Sequence, residues 1–191
     1  MMRPAPTQRG PRLQLAVPRR RDQDEVLALN RASLAFHRGW VSPPTTPAQF
    51  ARLLARTRRP DFASLLIRRR ADEAILGAIE ISQIVRGAFR SAYLGYQIGA
   101  AHARQGYMTE ALALTLAYAF GALKLHRLEA NIQPANEASL ALVRRLGFTC
   151  EGYSPRYLKI RGRWRDHERW AILAESWGTR RRHSSARPLG T

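Results

Sequence analysis

The stretch from Leu94 to Leu112, LGYQIGAAHARQGYMTEAL, decides the fold of this 191-residue chain, because it indicates a strand, a loop and the start of a helix. Leu94, Tyr96 and Ile98 follow the period-2 pattern of a half-buried strand. A helix that begins near Gly106 leaves about four backbone N–H groups free, and its dipole places roughly half a positive charge at that end. The stretch therefore predicts a site for a phosphate-bearing ligand.

The common phosphate-binding loops do not match this stretch. The chain has no G-x-x-x-x-G-K-[ST] sequence, and Gly106 has no partner glycines at the spacing of a dinucleotide fingerprint. The order of elements is a strand, a short basic loop, a long helix, a second strand at Arg127–Ile132 and a helix opened by Asn136. This order belongs to a different kind of site.

Several groups of residues, most of them after Gly77, carry a resemblance to a known family. They are Val85-Arg86-Gly87 with Tyr93-Leu94-Gly95-Tyr96, Gly106-Tyr107-Met108-Thr109-Glu110-Ala111, Asn136-Glu137-Ala138-Ser139, Leu146-Gly147-Phe148 with Glu151-Gly152-Tyr153, and Trp164-Arg165-Asp166-His167. In this order and spacing the chain resembles the GNAT superfamily of acetyl-CoA-dependent N-acetyltransferases. More narrowly it is similar to the RimJ/RimL-type branch, which acetylates N-terminal amino groups of ribosomal proteins.

The resemblance implies an α/β (α+β) fold, in which a mixed central β-sheet is flanked by helices and its strands splay apart at the acetyl-CoA site. The hydrophobic pattern predicts the order β-α-α-β-β-β-α-β-α-β-β, which agrees with that fold. We predict a basic disordered tail over residues 1–12, a single acetyltransferase domain over 13–177 and a second basic disordered tail over 178–191.

Local signals predict the bounds of several elements. Asp22 or Asp24 caps a first helix that runs to about Phe36, and Thr46 caps a second helix that starts with a proline. Pro134 ends the strand Arg127–Ile132. Asn136 caps the helix Glu137–Leu146, and Gly147 closes it in the left-handed conformation. Phe148 to Ile160 and Trp164 to Leu173 form a hairpin.

Composition limits the class of protein further. The single cysteine, Cys150, excludes an internal disulfide and is compatible with a reducing compartment. No apolar stretch reaches the ~20 residues of a membrane span, and no signal region follows the basic N-terminus. We therefore expect a cytoplasmic protein with no membrane contact.

The net charge of +18 is concentrated partly at the ends of the chain. Ten arginines precede the first acidic residue or follow the last one: Arg3, Arg9, Arg12, Arg19, Arg20, Arg21, Arg180, Arg181, Arg182 and Arg187. Such tails bind nucleic acid through its phosphates, which would give weak contact with nucleic acid or the ribosome. The alternative is that they are solvated, disordered ends.

The resemblance also implies how the donor, acetyl-CoA, is held. The pantetheine arm lies along the end of the strand, so the backbones of Gln97, Ile98 and Gly99 contact it. The residues that bind the pyrophosphate are Arg104, Gln105, Gly106, Tyr107, Met108 and Thr109. Asn136 touches the pantetheine amide, and Ser139 lies near the sulfur. Asn and Ser also favour helix starts for their own sake, which is the structural alternative for both.

One loop position departs from the family pattern. The residue three before the glycine, which is Gln or Arg in the family, is Ala103 here, and Arg104 follows it. We expect the backbone N–H groups still to bind the pyrophosphate, with Arg104 supplying the charge.

Three residues are candidates for catalysis. Glu80 is the candidate base, acting through a water, since an ordinary carboxylate titrates near 4.3; the alternative is a solvent-facing strand residue. Ser139 is the candidate acid for the leaving thiolate, with Tyr153 as a possible partner. No metal is expected, because Asp166 and His167 are adjacent on a strand and point to opposite faces.

The acceptor is predicted to be a primary amine, and transfer is predicted to be direct, in a ternary complex. Trp40, Glu80 and Tyr157 are the candidate acceptor-binding residues, although Trp40 and Tyr157 also suit ordinary packing. The first hypothesis is acetylation of the N-terminal α-amino group of a ribosomal protein. The second is a small amine such as an antibiotic or polyamine. The third is a CoA-binding, ribosome-associated module with weak or lost catalysis, consistent with Ala103.

Overall fold

The computed structural model describes the backbone of residues 8–185 and the side chains of residues 8–179. The strands are β1 Gln8–Arg9, β2 Leu13–Ala16, β3 Ala63–Arg69, β4 Ile75–Ser82, β5 Ser91–Ile98, β6 Arg127–Ile132, β7 Thr149–Ile160 and β8 Arg163–Leu173. The helices are α1 Gln23–Ala32, α2 Pro47–Arg56, α3 Tyr107–Gly121, α4 Glu137–Leu146 and α5 Ala174–Ser185.

The strands form one open sheet in the order β1-β2-β3-β4-β5-β6-β8-β7. Every neighbouring pair is antiparallel except β5 and β6, which are parallel. A mixed sheet flanked by helices is the predicted fold class, and the prediction is confirmed.

Alternation along the strands sends apolar side chains to both faces of the sheet. On one face Leu65, Ile67 and Ile79 join the larger core with Leu112 and Leu116 of α3. On the other face Leu66 and Ile75 pack with Val26, Leu27, Phe50 and Leu53 of α1 and α2. The two helical layers hold the sheet between them, and α3 and α4 flank the site described below.

Local capping accounts for the starts of α2 and α4. The Thr46 hydroxyl accepts a hydrogen bond from the backbone N–H of Gln49 at 3.3 Å, and the backbone N–H of Thr46 donates to the Gln49 side chain at 3.1 Å. The Asn136 side chain accepts a hydrogen bond from the backbone N–H of Ser139 at the start of α4, and Gly147 ends α4 at φ +89°. The strand β6 and the helix α4 have the predicted bounds.

Three predicted boundaries differ from the structure. Gln8–Arg9 form β1 and pair with β2, so the ordered part begins before residue 13. Residues 178–185 belong to α5 rather than to a disordered tail. The helix α1 ends at Ala32, because the chain turns at residues 33–40 and does not continue as a helix to Phe36. Residues 1–7 and 186–191 of the predicted tails lie outside the described residues.

No helix among the described residues is long and apolar enough to cross a membrane.

Candidate active site

The parallel strands β5 and β6 separate partway along their length. They pair at Ser91↔Arg127, Ala92↔Leu128 and Tyr93↔Glu129, and no pairing continues beyond Tyr93. From Leu94 onward the edge of β5 that faces β6 therefore borders a gap. A cavity of about 90 Å³ occupies the gap, with Leu94 to Tyr96 on one side and Asn131 to Gln133 on the other. A strand edge without a neighbour can accept an extended ligand through its backbone.

The helix α3 begins at the mouth of this gap without a cap. Its N-cap is Gly106, at φ +76°, which has no side chain to accept a hydrogen bond from the first turn. Arg104, at φ +61°, turns the loop just before it. The backbone N–H groups of the first turn therefore remain available to an anion, and the helix dipole favours negative charge there.

A larger cleft of about 360 Å³ joins the helix start to the end of β5 and to α4. The residues that line it are Phe36, His37, Trp40, Val41, Tyr96, Gln97, Ile98, His102, Ala103, Arg104, Gly106, Tyr107, Met108, Thr109, Asn136, Ala138, Ser139, Ala141, Leu142 and Arg145. This lining contains two arginines and, among the described residues, no carboxylate. The cleft thus suits an anionic ligand with an apolar arm.

Tyr96, Asn136 and Ser139 lie where the cleft and the smaller cavity meet, because all three line both. The Tyr96 hydroxyl is buried and faces Ser139, but it makes no hydrogen bond of normal geometry with a described residue. Burial raises the pKa of Tyr96 to about 12, and Ser139 opposes the shift. A buried hydroxyl without a partner, aimed into a cleft, points to a ligand atom.

The Asn136 side chain already performs a structural role. Its Oδ1 accepts a hydrogen bond from the N–H of Ser139 at 3.3 Å and so caps α4. The amide NH₂ of Asn136 remains to donate toward the cleft. The structural and functional roles predicted for Asn136 are therefore compatible.

The structure brings most of the predicted donor-binding residues to one place. Gln97, Ile98, Arg104, Gly106, Tyr107, Met108, Thr109, Asn136 and Ser139 all line the cleft. Gly99 and Gln105 do not. A Cβ at Gly99 would lie 2.4 Å from the Leu29 side chain, and the Gln105 side chain donates to the carbonyl of Ala101 at 2.9 Å. Gly99 and Gln105 therefore support the loop through contacts on the side away from the cleft.

Glu80 lies outside both cavities, on the sheet face covered by α1 and α2. It pairs across the sheet with Gly95, which lines the smaller cavity, and its carboxylate is 3.8 Å from Arg56. Burial raises the pKa of Glu80, and the Arg56 charge opposes the rise. Glu80 is therefore one strand away from the gap, and its role as a base through water stays a prediction.

Tyr153 is, like Glu80, a predicted catalytic residue that does not line the cleft. Its side chain is 55% exposed, and its hydroxyl donates to Asp166 instead. The strand β7, which carries Tyr153, is the edge strand of the sheet, two strands from β6. Order along the chain does not show which strand borders the gap, and a catalytic role for Tyr153 stays a prediction.

The predicted acceptor residues Trp40 and Tyr157 have different positions. Trp40 lines both cavities, and its segment is held by a hydrogen bond from Gln133 to the carbonyl of Gly39 at 2.7 Å. Tyr157 is half-buried, and its ring centroid lies 6.0 Å from that of His167, which lines the smaller cavity. Trp40 thus lines the site, whereas Tyr157 packs beside His167, which lines it.

Two residues of the cleft were missed by the sequence analysis. Strand alternation accounts for the position of Tyr96 in β5 but not for its hydroxyl, and a hydroxyl on an otherwise apolar face is a signal of a site residue. Arg145 follows Leu142 by three residues and Ala141 by four along α4, which places it on the helical face that lines the cleft. That spacing could have identified Arg145 as a second cation of the cleft.

Among the residues whose side chains are described, no group of three or more His, Cys, Asp or Glu residues could hold a metal ion. Cys150 is exposed and lines neither cavity.

A fold with splayed parallel strands beside an open helix start defines the class of protein. The model of the acetyltransferase (GNAT) domain family matches residues 12–149, so the chain belongs to that family, as predicted. The chain is 43% identical over 103 residues to the probable N-acetyltransferase YjcK of Bacillus subtilis, which covers 54% of this chain. It is 42% identical over 106 residues, 56% of this chain, to the [ribosomal protein uS5]-alanine N-acetyltransferase of Escherichia coli. The matched regions span 57% and 55% of those relatives.

Solved structures extend the likeness over nearly the whole chain. Mycobacterium smegmatis RimJ in complex with CoA-disulfide is similar with a TM-score of 0.81 and 29% identity, covering 91% of this chain and 89% of that one. Spermidine N-acetyltransferase from Vibrio cholerae has the same fold, with a TM-score of 0.75 over 88% of this chain and 99% of that one, at 21% identity.

Proposed function

We propose that this chain transfers the acetyl group of acetyl-CoA to the α-amino group of a protein N-terminus, with a ribosomal protein as the acceptor. The observation that carries the proposal is the gap between β5 and β6 beside the uncapped start of α3. The gap fits an extended pantetheine arm, and the uncapped helix start fits a diphosphate. RimJ of M. smegmatis, the 29% identical neighbour, was solved with CoA-disulfide.

The residues of the cleft fit the donor. The N–H groups of Tyr107, Met108 and Thr109 would bind the pyrophosphate, with Arg104 and Arg145 adding positive charge. The edge of β5 at Tyr96 to Ile98 would hold the pantetheine arm. The family has Gln or Arg at the position of Ala103, and the charges of Arg145 and Arg104 would replace that side chain.

Residues at the junction of the two cavities would support the transfer step. The acceptor nitrogen forms the new C–N bond as the C–S bond breaks, and a proton must leave the amine while another reaches the thiolate. An α-amino group with a pKa of about 7.7–8.0 is partly unprotonated at neutral pH, so Glu80 would need to act only as a weak base through water. Tyr96, buried and protonated, would give the proton to sulfur, with Ser139 beside it.

Direct transfer in a ternary complex is consistent with the lining. The one cysteine, Cys150, lies away from both cavities, so it is not placed to accept the acetyl group. The gap and the cleft meet at Tyr96, which allows donor and acceptor to approach from opposite sides.

The charge of the cleft distinguishes between acceptors. A polyamine carries several positive charges, and the described lining offers it no carboxylate. A protein N-terminus carries a single charge, and the 42% identical relative acts on the alanine of ribosomal protein uS5 by its name. A small amine remains the second candidate, because a neighbour of the same fold is named for spermidine.

Turnover of acetyl-CoA with matched acceptors tests the proposal. We expect CoA release with a peptide of the uS5 N-terminal sequence and none with the same peptide acetylated at its N-terminus. Release with spermidine but not with the free peptide would favour the second candidate. CoA binding by calorimetry without turnover on either acceptor would indicate a binding module. Intact masses of ribosomal proteins from cells with and without this chain would identify the acceptor.

A further inference from the structure

The β7–β8 hairpin extends beyond the rest of the sheet. The strand β6 pairs with β8 only from Arg127↔Leu173 to Ile132↔Glu168, so the beginning of β8 has β7 as its strand neighbour. The strand β7 is itself the edge of the sheet. We call residues 155–165, PRYLKIRGRWR, the distal hairpin.

The distal hairpin is strongly basic. Its five cations are Arg156, Lys159, Arg161, Arg163 and Arg165, and it contains no acidic residue. The next residue, Asp166, accepts a hydrogen bond from the backbone N–H of Arg156 at 2.7 Å and another from Tyr153. None of the five side-chain cations forms a salt bridge with a described side chain.

This charge belongs to the folded body and not only to the chain ends. All 14 acidic residues and 27 of the 32 basic residues fall within the residues whose side chains are described. Like charges on neighbouring positions of a hairpin repel one another, which costs stability in the free protein. Binding of a partner with opposite charge would relieve this repulsion between the cations.

Exposed apolar side chains alternate with the cations. Trp164 is 59% exposed and lies opposite Lys159 on the same face of the ribbon. Leu158 is 40% exposed and lies opposite Arg165 on the other face. Cations that follow a phosphate backbone, next to an aromatic ring on which a base can stack, are the features of single-stranded nucleic-acid binding.

The distal hairpin is connected to the active site at its base. The Tyr157 ring lies beside His167, which lines the smaller cavity, and the Tyr157 hydroxyl lies near that of Tyr93 of β5. A polymer bound along the hairpin would therefore lie beside the acceptor side of the site.

We propose that the distal hairpin binds single-stranded RNA across its tip, with Lys159, Arg161 and Arg163 on phosphates and Trp164, which shares a face with Lys159, stacked on a base. RNA binding is an interaction in addition to acetyl transfer. Only the choice of RNA over DNA rests on the proposed function, because the proposed acceptor is a ribosomal protein and such proteins bind RNA. The binding requires neither acetyl-CoA nor an acceptor, so it can be tested when turnover fails.

The test uses the full chain and a fluorescein-labelled 20-nucleotide oligouridine, with anisotropy measured over a range of salt concentrations. The hairpin variant replaces Lys159, Arg161 and Arg163 with Gln. The matched control replaces three other exposed arginines without a salt bridge to a described residue, Arg20, Arg52 and Arg58, with Gln, which removes the same charge elsewhere. Thermal unfolding and CoA affinity of each variant confirm that it folds.

We expect the hairpin variant to bind at least about tenfold more weakly, and the slope of log K against log salt to fall by about 2. The control should change much less, and Trp164→Ala should weaken binding about tenfold with the slope unchanged. Equal losses in both triple variants would overturn the proposal in favour of net charge alone.

Three other results would also overturn it. Tighter binding of oligodeoxythymidine would exclude the choice of RNA. Displacement by polyglutamate, with Trp164→Ala as tight as wild type, would indicate an acidic protein partner. A dimer that the hairpin variant abolishes in sedimentation, without RNA binding, would indicate a second copy of the chain.

Discussion

Arg12 and Glu110, 98 positions apart in the sequence, form a salt bridge with Arg12 Nε 2.9 Å from Glu110 Oε2. The other carboxylate oxygen of Glu110 accepts the backbone N–H groups of Arg12 at 2.9 Å and Leu13 at 3.1 Å. The same guanidinium donates to the carbonyl of Gln105 at 3.0 Å and lies 4.6 Å from the centre of the Tyr107 ring. One arginine thus ties the N-terminal segment to the outer side of the phosphate loop.

We predict that Arg12→Ala raises the KM for acetyl-CoA about three- to tenfold and leaves kcat within about twofold. The loop from Gln105 to Tyr107 loses its support, and a charged hydrogen bond of this kind contributes about 1 kcal/mol or more. Arg9→Ala is the matched control, since Arg9 is exposed on the neighbouring β1. An equal rise in KM in both variants would show that charge, and not loop support, is responsible.

Removal of the Tyr96 hydroxyl should reduce chemistry more than binding. We expect Tyr96→Phe to lower kcat at least about tenfold, because proton donation to the leaving thiolate contributes on that scale, while CoA affinity by calorimetry stays within about twofold. Ser139→Ala should act in the same direction. Tyr153→Phe removes the same atom from an exposed ring and should leave kcat unchanged. A larger effect at Tyr153 than at Tyr96 would contradict the assignment.

Gly106→Trp should abolish CoA binding in calorimetry. The position needs a positive φ of +76°, and a large side chain there would cover the N–H groups that start α3. Gly87→Trp is the control, because Gly87 also has a positive φ, +70°, and has open space around it. Unchanged affinity in the Gly106 variant would show that the donor binds elsewhere.

The stability of the Glu80→Gln variant should depend on pH. Burial raises the pKa of Glu80, so the fold favours the uncharged carboxyl. The stability linked to Glu80 is then fully present below its ordinary pKa of 4.5 and is lost as pH rises through the folded value. We expect the melting temperature of the variant, relative to wild type, to rise between pH 4 and pH 7.

Glu137→Gln, at an exposed position, is the control and should show no such trend. A difference that falls with pH would mean that Arg56 outweighs burial at Glu80. A kcat for Glu80→Gln at pH 7 equal to that of wild type would remove Glu80 from the mechanism without affecting the rest of the site.

The sequence by itself determined the elements whose signals lie within a few residues of one another. Strand alternation gave β6, Asn136 and Gly147 gave the two ends of α4, and the strand–loop–helix order around Gly106 located the open helix start. Capping, turn chemistry and alternation are local interactions, so they can be read along the chain. The family resemblance added the splayed strands and the donor.

Only the tertiary structure decided which distant side chains meet. Tyr96 faces Ser139 and Arg12 binds Glu110 because β5, α4, β2 and α3 pack in a particular register, which no local pattern specifies. The same packing leaves Tyr153 on an edge strand and places Glu80 beside Arg56. These contacts depend on the distances between elements, and those distances are fixed by how the two cores fill with side chains from the whole chain.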